Sequence, residues 1–132
     1  MADWKLSLSI LPESLAVCRL GPDAQIPAWA TRGSFFSVTR TAEEVSIVCP
    51  VEHAPEDVLA EKAWRSFKVE GPLDFRLTGV LAALATALAG AGVSIFALAT
   101  YDTDYLLIKE QDVSRAVLAL TEEGHQILPQ MV

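Results

Sequence analysis

The sequence predicts an α+β protein made of two ferredoxin-like βαββαβ repeats with antiparallel sheets, the first repeat being degenerate. Three observations lead to this fold class. No charged residue occurs from 77 to 101, which marks a buried centre. A glycine break at 90–92 divides that stretch into an alanine-rich run typical of a helix and a β-branched, aromatic run typical of a strand. The elements around it follow the order strand, helix, strand, strand, helix, strand, which is the ferredoxin-like order.

The same apolar stretch would suit a membrane-spanning helix if it were continuous, since such a helix needs about 20 apolar residues. Gly90 and Gly92 interrupt it. Residues 80–89 are strong helix formers, and apolar side chains recur there at spacings of three and four, which builds one buried stripe. The stripe consists of Leu77, Val80, Leu81, Leu84 and Leu88. We therefore predict a soluble helix and strand, with no membrane partner.

The second repeat is predicted at residues 64–132. Alternation of polar and apolar residues favours its strands, and spacings of three and four favour its helices. Asp112 is a good N-cap for the last helix, and Gly124 can close it. The predicted elements are strand 64–70, helix 80–89, strand 93–99, strand 105–109, helix 113–122 and strand 126–128.

The first repeat is predicted at residues 1–63 and has only short helices. Trp29 would pack a single helical turn, and Pro55 lies near the start of a short helix whose first turn is acidic. The predicted elements are strands 5–10 and 15–20, a turn at 26–31, a hairpin of strands 34–41 and 45–49, and a helix at 54–63. Which edge strands are exchanged between the two repeats stays open.

Composition excludes several classes of function. The formal net charge is −7 and no Lys/Arg stripe occurs, so no nucleic-acid partner is expected. The N-terminus lacks the apolar core of a signal peptide, which predicts a cytoplasmic protein. Cys18 and Cys49 lie in apolar strand-like runs, where free buried thiols are the preferred interpretation and a disulfide stays open. His53 and His125 are isolated and expected at the surface, and no metal or cofactor is predicted.

Catalytic motifs are missing as well. No Ser or Cys nucleophile is paired with a plausible His, and the sequence contains neither a metal set nor a P-loop. The AGAG at 89–92 follows a predicted helix, whereas a nucleotide fingerprint must follow a strand and open a helix. We therefore predict that the chain is not an enzyme.

Two segments carry a resemblance to a known family. Residues 100–112 (TYDTDYLLIKEQD) look like the strand, turn, strand and helix segment of ACT domains, and residues 34–39 (SFFSVT) resemble a segment of a first ACT repeat. The chain is similar to the tandem ACT-domain arginine sensors of the CASTOR type and to their small bacterial relatives. This resemblance implies binding of an amino acid or another small effector, a regulatory role and a homodimer.

The resemblance also implies a set of ligand-binding residues. Carried over by position, Thr100, Tyr101 and Asp104 would line the pocket, and Asp74 lies in the loop that would face them. The backbone opposite would be that of Leu77, Thr78, Gly79 and Val80. The sequence departs from the sensors at two of these positions, where Leu77 replaces an acidic residue and Asp74 replaces a glycine.

The chemistry of a free amino acid agrees with this arrangement. Its ammonium needs carboxylate or carbonyl oxygens, which Asp104 and Asp102 offer at the end of a hairpin. Its carboxylate needs N–H groups, which the start of the helix after Gly79 would present. Tyr101 could cover the aliphatic part of the ligand.

Structural interpretations stand beside the functional ones. Asp74 could cap the helix, Asp102 could be a turn residue, and Thr78 could bond only its own helix backbone. The chain as a whole could be a structural or interaction subunit that dimerises or docks onto an enzyme through the same fold.

Overall fold

The computed structural model describes residues 5–70 and 79–128, and it has a mixed α+β fold in which antiparallel strand pairs dominate. The strands are β1 (Ser7–Ile10), β2 (Leu15–Leu20), β3 (Ser37–Arg40), β4 (Val45–Pro50), β5 (Leu59–Val69), β6 (Phe96–Ala99), β7 (Asp104–Lys109) and β8 (Gln126–Leu128). The α-helices are α1 (Val80–Gly90) and α2 (Val113–Glu122). Short 3₁₀ turns lie at Ala28–Thr31, Val51–His53 and Glu110–Asp112.

The chain divides into two compact units, and the division falls within β5. One unit runs from Glu13 to Trp64. The other contains the described residues up to Pro12 together with those from Arg65 onward. We call them the N-terminal unit and the C-terminal unit. The first strand of the chain, β1, thus belongs to the C-terminal unit.

The N-terminal unit is a sheet in the order β3-β4-β2-β5, and every neighbouring pair is antiparallel. The 3₁₀ turn at Ala28–Thr31 takes the place where a helix would cover the sheet, as the sequence predicts for Trp29 and its neighbours. The core is built mostly from small side chains, since its fully buried members are Ala16, Cys18, Ala30, Val45, Ile47 and Cys49.

The helix predicted at residues 54–63 is wrong, because the chain from Leu59 onward is strand β5. Leu59, Ala60 and Glu61 pair with Arg19, Cys18 and Val17 of β2. The register then shifts before Trp64, and Ala63 adopts a positive φ of 68°. A bulge of this kind lets the strand continue with a change of direction. Pairing with a distant strand has overridden a local preference for helix.

The C-terminal unit has the strand order β8-β1-β5-β7-β6. Its elements β5, α1, β6, β7, α2 and β8 appear in the order that the sequence predicts. The additional strand β1 lies between β5 and β8, antiparallel to the former and parallel to the latter. Leu8 of β1 is fully buried and pairs with Val69 on one side and Ile127 on the other.

Helices α1 and α2 pack on the core of this unit. Burial of Val80, Leu84 and Leu88 confirms most of the predicted apolar stripe, although Leu81 is 37% exposed. Fully burying a side chain of this size contributes about 1.5–3 kcal/mol. The other buried members of the core are Leu8, Phe67, Val69, Val93, Leu106, Ile108, Ala116 and Leu120. Among the described residues, no helix is both long and apolar enough to cross a membrane.

The two ends of α2 show one difference from the predicted caps. Asp112 precedes the helix, but its carboxylate pairs with Arg115, and no side chain in the described part of the chain caps the helix. Gly124 follows the helix with a φ of 92°, and its N–H donates to the carbonyl of Thr121 at 3.0 Å. A glycine is favoured here, as predicted, because few other residues adopt this conformation.

Candidate functional site

The turn between β6 and β7 is held by its own hydrogen bonds. The backbone N–H of Thr100 donates to the carbonyl of Thr103 at 2.8 Å, and the Thr100 hydroxyl donates to the same carbonyl at 2.9 Å. The N–H of Thr103 donates back to that hydroxyl at 3.3 Å. Asp104 begins β7 and pairs in register with Ala99. The hairpin end is therefore a defined structure that can position side chains.

A buried hydroxyl joins this hairpin end to the end of β5. Thr103 is 5% exposed, and its Oγ1 donates to the carbonyl of Val69 at 2.5 Å. Val69 is the last residue of β5, so this bond holds the hairpin end beside the end of that strand. The sequence predicts no role for Thr103. Only the strand pairing shows where its hydroxyl points.

Helix α1 begins at this same edge of the sheet. β6 ends at the hairpin, so the chain must cross back over the sheet between the end of β5 and the start of β6, and α1 makes that crossing. Val80, at the start of α1, packs in the same core as Val69. The topology therefore brings the beginning of α1 and the β6–β7 hairpin end to one edge.

The beginning of α1 is open on its backbone side. Gly79 precedes the helix with a φ of +80°, and a Cβ at this position would meet nothing within 4 Å. Within residues 5–70 and 79–128, no side chain caps the helix. The first N–H groups of an α-helix have no partner within the helix, and the helix dipole makes this end favourable for an anion. These N–H groups could therefore receive a ligand carboxylate.

The predicted ligand residues fall into three groups. Thr100 and Tyr101 are exposed on the hairpin end, and Asp104 beside them is partly buried. Val80 is 7% exposed and its side chain is a core residue, so only its backbone could contact a ligand. The calls on Asp74, Leu77 and Thr78 lie outside the described residues.

Glu70 follows β5 at this edge and is held against β1. Its Oε2 accepts a hydrogen bond from the hydroxyl of Ser9 at 2.5 Å, and its backbone N–H donates to the carbonyl of Ser7 at 2.8 Å. The structure thus fixes this carboxylate against β1, directly after the end of β5.

A separate groove lies between the C-terminal ends of α1 and α2 and has a volume of about 300 Å³. It contains none of the predicted ligand residues; its lining consists of Ala87, Gly90, Ala91, Ala119, Glu122 and Glu123. Within residues 5–70 and 79–128, no group of three or more His, Cys, Asp and Glu side chains could hold a metal ion.

The two cysteines offer no reactive thiol. Cys18 and Cys49 are free and buried within the N-terminal unit, where each sulfur lies within hydrogen-bonding distance of the other. Burial raises the pKa of both thiols, that of Cys49 to about 12. Because the thiolate is the nucleophilic form, both groups are inert at neutral pH.

Comparisons with known proteins agree with this architecture. A family model described as ACT domain matches residues 59–122, and a model of an N-terminal domain family matches residues 13–57. A crystal structure of an Agobacterium tumefaciens protein is 36% identical, covers 98% of this chain and 97% of its own, and has a TM-score of 0.93. The chain belongs to the ACT-domain family, as the sequence predicts.

Two further proteins of known role are similar to this chain. The cytosolic arginine sensor for mTORC1 subunit 1 of Bos taurus is 31% identical over 104 residues, which are 70% of this chain. The chain spans 32% of the length of that sensor. The regulatory subunit of aspartate kinase from Thermus thermophilus has a TM-score of 0.62 and 14% identity, covering 87% of this chain and 95% of its own. This second likeness shows the fold alone.

Proposed function

We propose that this chain is a regulatory module that binds an amino-acid effector at the edge formed by the start of α1 and the β6–β7 hairpin end. The observation that carries the proposal is the hydrogen bond from Thr103 Oγ1 to the carbonyl of Val69. It holds the hairpin end, and with it Asp104, beside the end of β5. Membership of the ACT-domain family supports the same role.

The proposed pocket provides a partner for each of the two charges of a zwitterion. The carboxylate of Asp104 pairs with the ligand ammonium, and the open N–H groups after Gly79 receive the ligand carboxylate. Burying either charge without a partner costs several kcal/mol, so a site that serves both selects zwitterions over singly charged ligands. Thr100 and Tyr101 contact the rest of the ligand, and Asp74, Leu77 and Thr78 stay predicted ligand residues by the family resemblance.

The two units are, in this proposal, two ferredoxin-like repeats. The N-terminal unit has the strand order β3-β4-β2-β5, which is the order of a βαββαβ sheet. The C-terminal unit has the same order once β1 is set aside. The predicted division at residues 63 and 64 is kept, with β1 given to the second repeat.

The proposed module has no catalytic activity of its own and acts through a partner. The Bos taurus relative is an arginine sensor of the cytosol. This relative supports regulation by a cytosolic protein. The alternative is an interaction subunit that binds no effector, and the replacement of sensor-loop residues at Asp74 and Leu77 favours it.

A thermal-shift screen against the twenty amino acids tests the proposal. A ligand at 100 times its Kd adds about 2.7 kcal/mol to stability. For a domain of this size we expect Tm to rise by roughly 10 °C. Asp104→Asn should weaken binding of the amino acid found by at least tenfold, since it removes a charged partner of the ammonium. Asp102→Asn is the matched control, because it changes the same charge on the exposed tip of the same hairpin.

The outcomes separate the two candidate functions. A shift that Asp104→Asn abolishes and Asp102→Asn retains supports the effector module. No shift with any of the twenty amino acids supports the interaction subunit. Equal loss in both variants would mean that the net charge of the hairpin matters and that Asp104 has no particular contact with the ligand.

We also propose a homodimer, in which the second repeat of each copy offers its loop to the other across a two-fold axis. Such an arrangement gives two equivalent sites and self-complementary contacts. Sedimentation at high micromolar concentration should give the mass of a dimer. A monomer under those conditions contradicts the proposed assembly without deciding whether an effector binds.

A further inference from the structure

His125 joins the two strands that lie farthest apart in the sequence of the C-terminal unit. The residue is 8% exposed, so its predicted position at the surface is wrong. Its Nδ1 accepts a hydrogen bond from the backbone N–H of Leu6 at 3.1 Å. The next backbone group continues the pairing, because the N–H of Gln126 donates to the carbonyl of Leu6 at 2.9 Å. The imidazole thus extends the ladder between β1 and β8 by one bond.

This hydrogen bond defines the protonation state of the ring. A neutral imidazole has one N–H donor and one acceptor nitrogen, and Nδ1 can accept only when it carries no proton. The proton of the neutral ring therefore lies on Nε2. The donor is a backbone N–H, which cannot reverse its direction to suit a protonated ring.

Two charged residues, one before β1 and one before β8, act on the imidazole ring of His125. Lys5 precedes β1, and Glu123 lies between α2 and β8. The ammonium of Lys5 donates to the carbonyl of Glu123 at 2.8 Å, which places a positive charge close to the imidazole. Burial and the charge of Lys5 lower the pKa of His125, and the carboxylate of Glu123 opposes them with a smaller effect.

We propose that His125 is a pH-sensitive latch that holds the start of β1 in the sheet when its ring is neutral and releases it when solvent protonates Nδ1. When Nδ1 of His125 carries a proton, its N–H points at the backbone N–H of Leu6, and neither group can accept. The N–H of Leu6 then loses its acceptor, which costs about 1–3 kcal/mol when the group stays buried. Opening of β1 away from β8 exposes both groups to water and removes that cost.

Opening of β1 at this position affects the end of the sheet at which the β6–β7 hairpin end lies. Ser7 follows Leu6 and is the first residue of β1, and its carbonyl accepts a hydrogen bond from the backbone N–H of Glu70. The hydroxyl of Ser9 donates to the Glu70 carboxylate. Both partners of Glu70 are therefore on the strand that the latch holds. The latch does not rest on effector binding and is tested without a ligand.

Hydrogen exchange of residues 6–9, corrected for the intrinsic effect of pH, tests the latch between pH 7.5 and pH 5.5. The opened ring has a pKa near the ordinary value of about 6.5 and the closed ring a lower one, so opening is favoured as pH falls through 6.5. We expect the protection of these amides to fall by up to about tenfold at pH 5.5. Amides of β7 should change less.

The variant His125→Asn separates the latch from general acid sensitivity. Its side-chain oxygen can accept the N–H of Leu6 and does not titrate, so protection of residues 6–9 should become independent of pH over this range. His53→Asn is the matched control in the N-terminal unit and should behave as the parent chain does. Equal loss of protection in His125→Asn and the parent chain would overturn the proposal.

A second measurement covers the case in which His125→Asn does not fold. The ring nitrogens and Cε1–H of His125 can be followed by NMR in the parent chain. The latch requires the tautomer with the proton on Nε2 at pH 7.5 and a midpoint below 6.5. A ring that carries its proton on Nδ1, or that titrates at its ordinary pKa, would overturn the proposal whatever the exchange data show.

Discussion

The N-terminal and C-terminal units cover similar sheets in different ways. The N-terminal unit uses a 3₁₀ turn of four residues and a core of small side chains. The C-terminal unit uses two α-helices of ten and eleven residues over a core that includes Phe67, Leu84 and Leu120. A four-residue turn has no row of aligned N–H groups to offer an anion, whereas the start of α1 does. The contrast explains why the candidate site lies on the C-terminal unit.

The largest effect is expected from removing a core contact of α1. Leu84 is fully buried and Leu81 is 37% exposed, although they are the same residue type in the same helix. Leu84→Ala should lower the free energy of unfolding by about 2–5 kcal/mol, because it leaves a cavity. Leu81→Ala should cost well below half as much. Chemical denaturation of both variants measures the difference, and equal losses would show that α1 does not carry the core of its unit.

A middle effect is expected at the hydrogen bond that places the hairpin end. Thr103→Val keeps the shape of the side chain but leaves the carbonyl of Val69 without its donor, which should cost about 1–3 kcal/mol. Thr100→Val removes a more exposed hydroxyl and should cost less. Urea denaturation and exchange of the β5 amides measure this. If exchange at the end of β5 is unchanged in Thr103→Val, the bond does not couple the hairpin to the strand.

The smallest effect concerns the N-terminal unit and appears only at alkaline pH. Burial raises the pKa of Cys49 to about 12 in the folded state, above the ordinary value of 9.0. A raised pKa stabilises the fold fully below pH 9, and this contribution is lost as pH rises from 9 towards 12. At pH 10 the loss amounts to about 1.4 kcal/mol.

Urea midpoints at pH 7 and pH 10 test this expectation. For each protein, stability at pH 10 is compared with its own stability at pH 7. The loss between pH 7 and pH 10 should be smaller in Cys49→Ala than in the parent chain. If Cys49→Ala loses as much stability between pH 7 and pH 10 as the parent chain does, groups other than Cys49 cause the alkaline loss. Because Cys49 lies in the N-terminal unit, the difference between Cys49→Ala and the parent chain reports on a group of that unit.

Local sequence patterns predicted those elements whose structure is determined by residues close to them in the sequence. The strand at 15–20 and the helix at 113–122 have the predicted bounds, because alternation and helical spacing are visible in the chain itself. The stop of α1 at Gly90 follows from the glycine break. These features need no knowledge of distant partners.

Long-range pairing decided what the sequence could not predict. Leu59–Val69 became a strand because its first residues pair with residues of β2 that lie 40 to 44 positions earlier in the chain. The burial of His125 follows from its bond to Leu6, and the role of Thr103 from its bond to Val69. No local pattern contains these partners. The predicted loop residues Asp74, Leu77 and Thr78 stay predictions.

The position of β1 also has a consequence for how the protein is made. A ribosome releases Leu6 early, but its partner His125 emerges 119 residues later. Until then β1 has no neighbour on the side of β8, and the C-terminal unit cannot be completed during most of translation. Contacts of such long sequence separation slow folding and lengthen the exposure of unpaired strand edges. A tag or deletion placed just before β1 would therefore act on the last step of assembly.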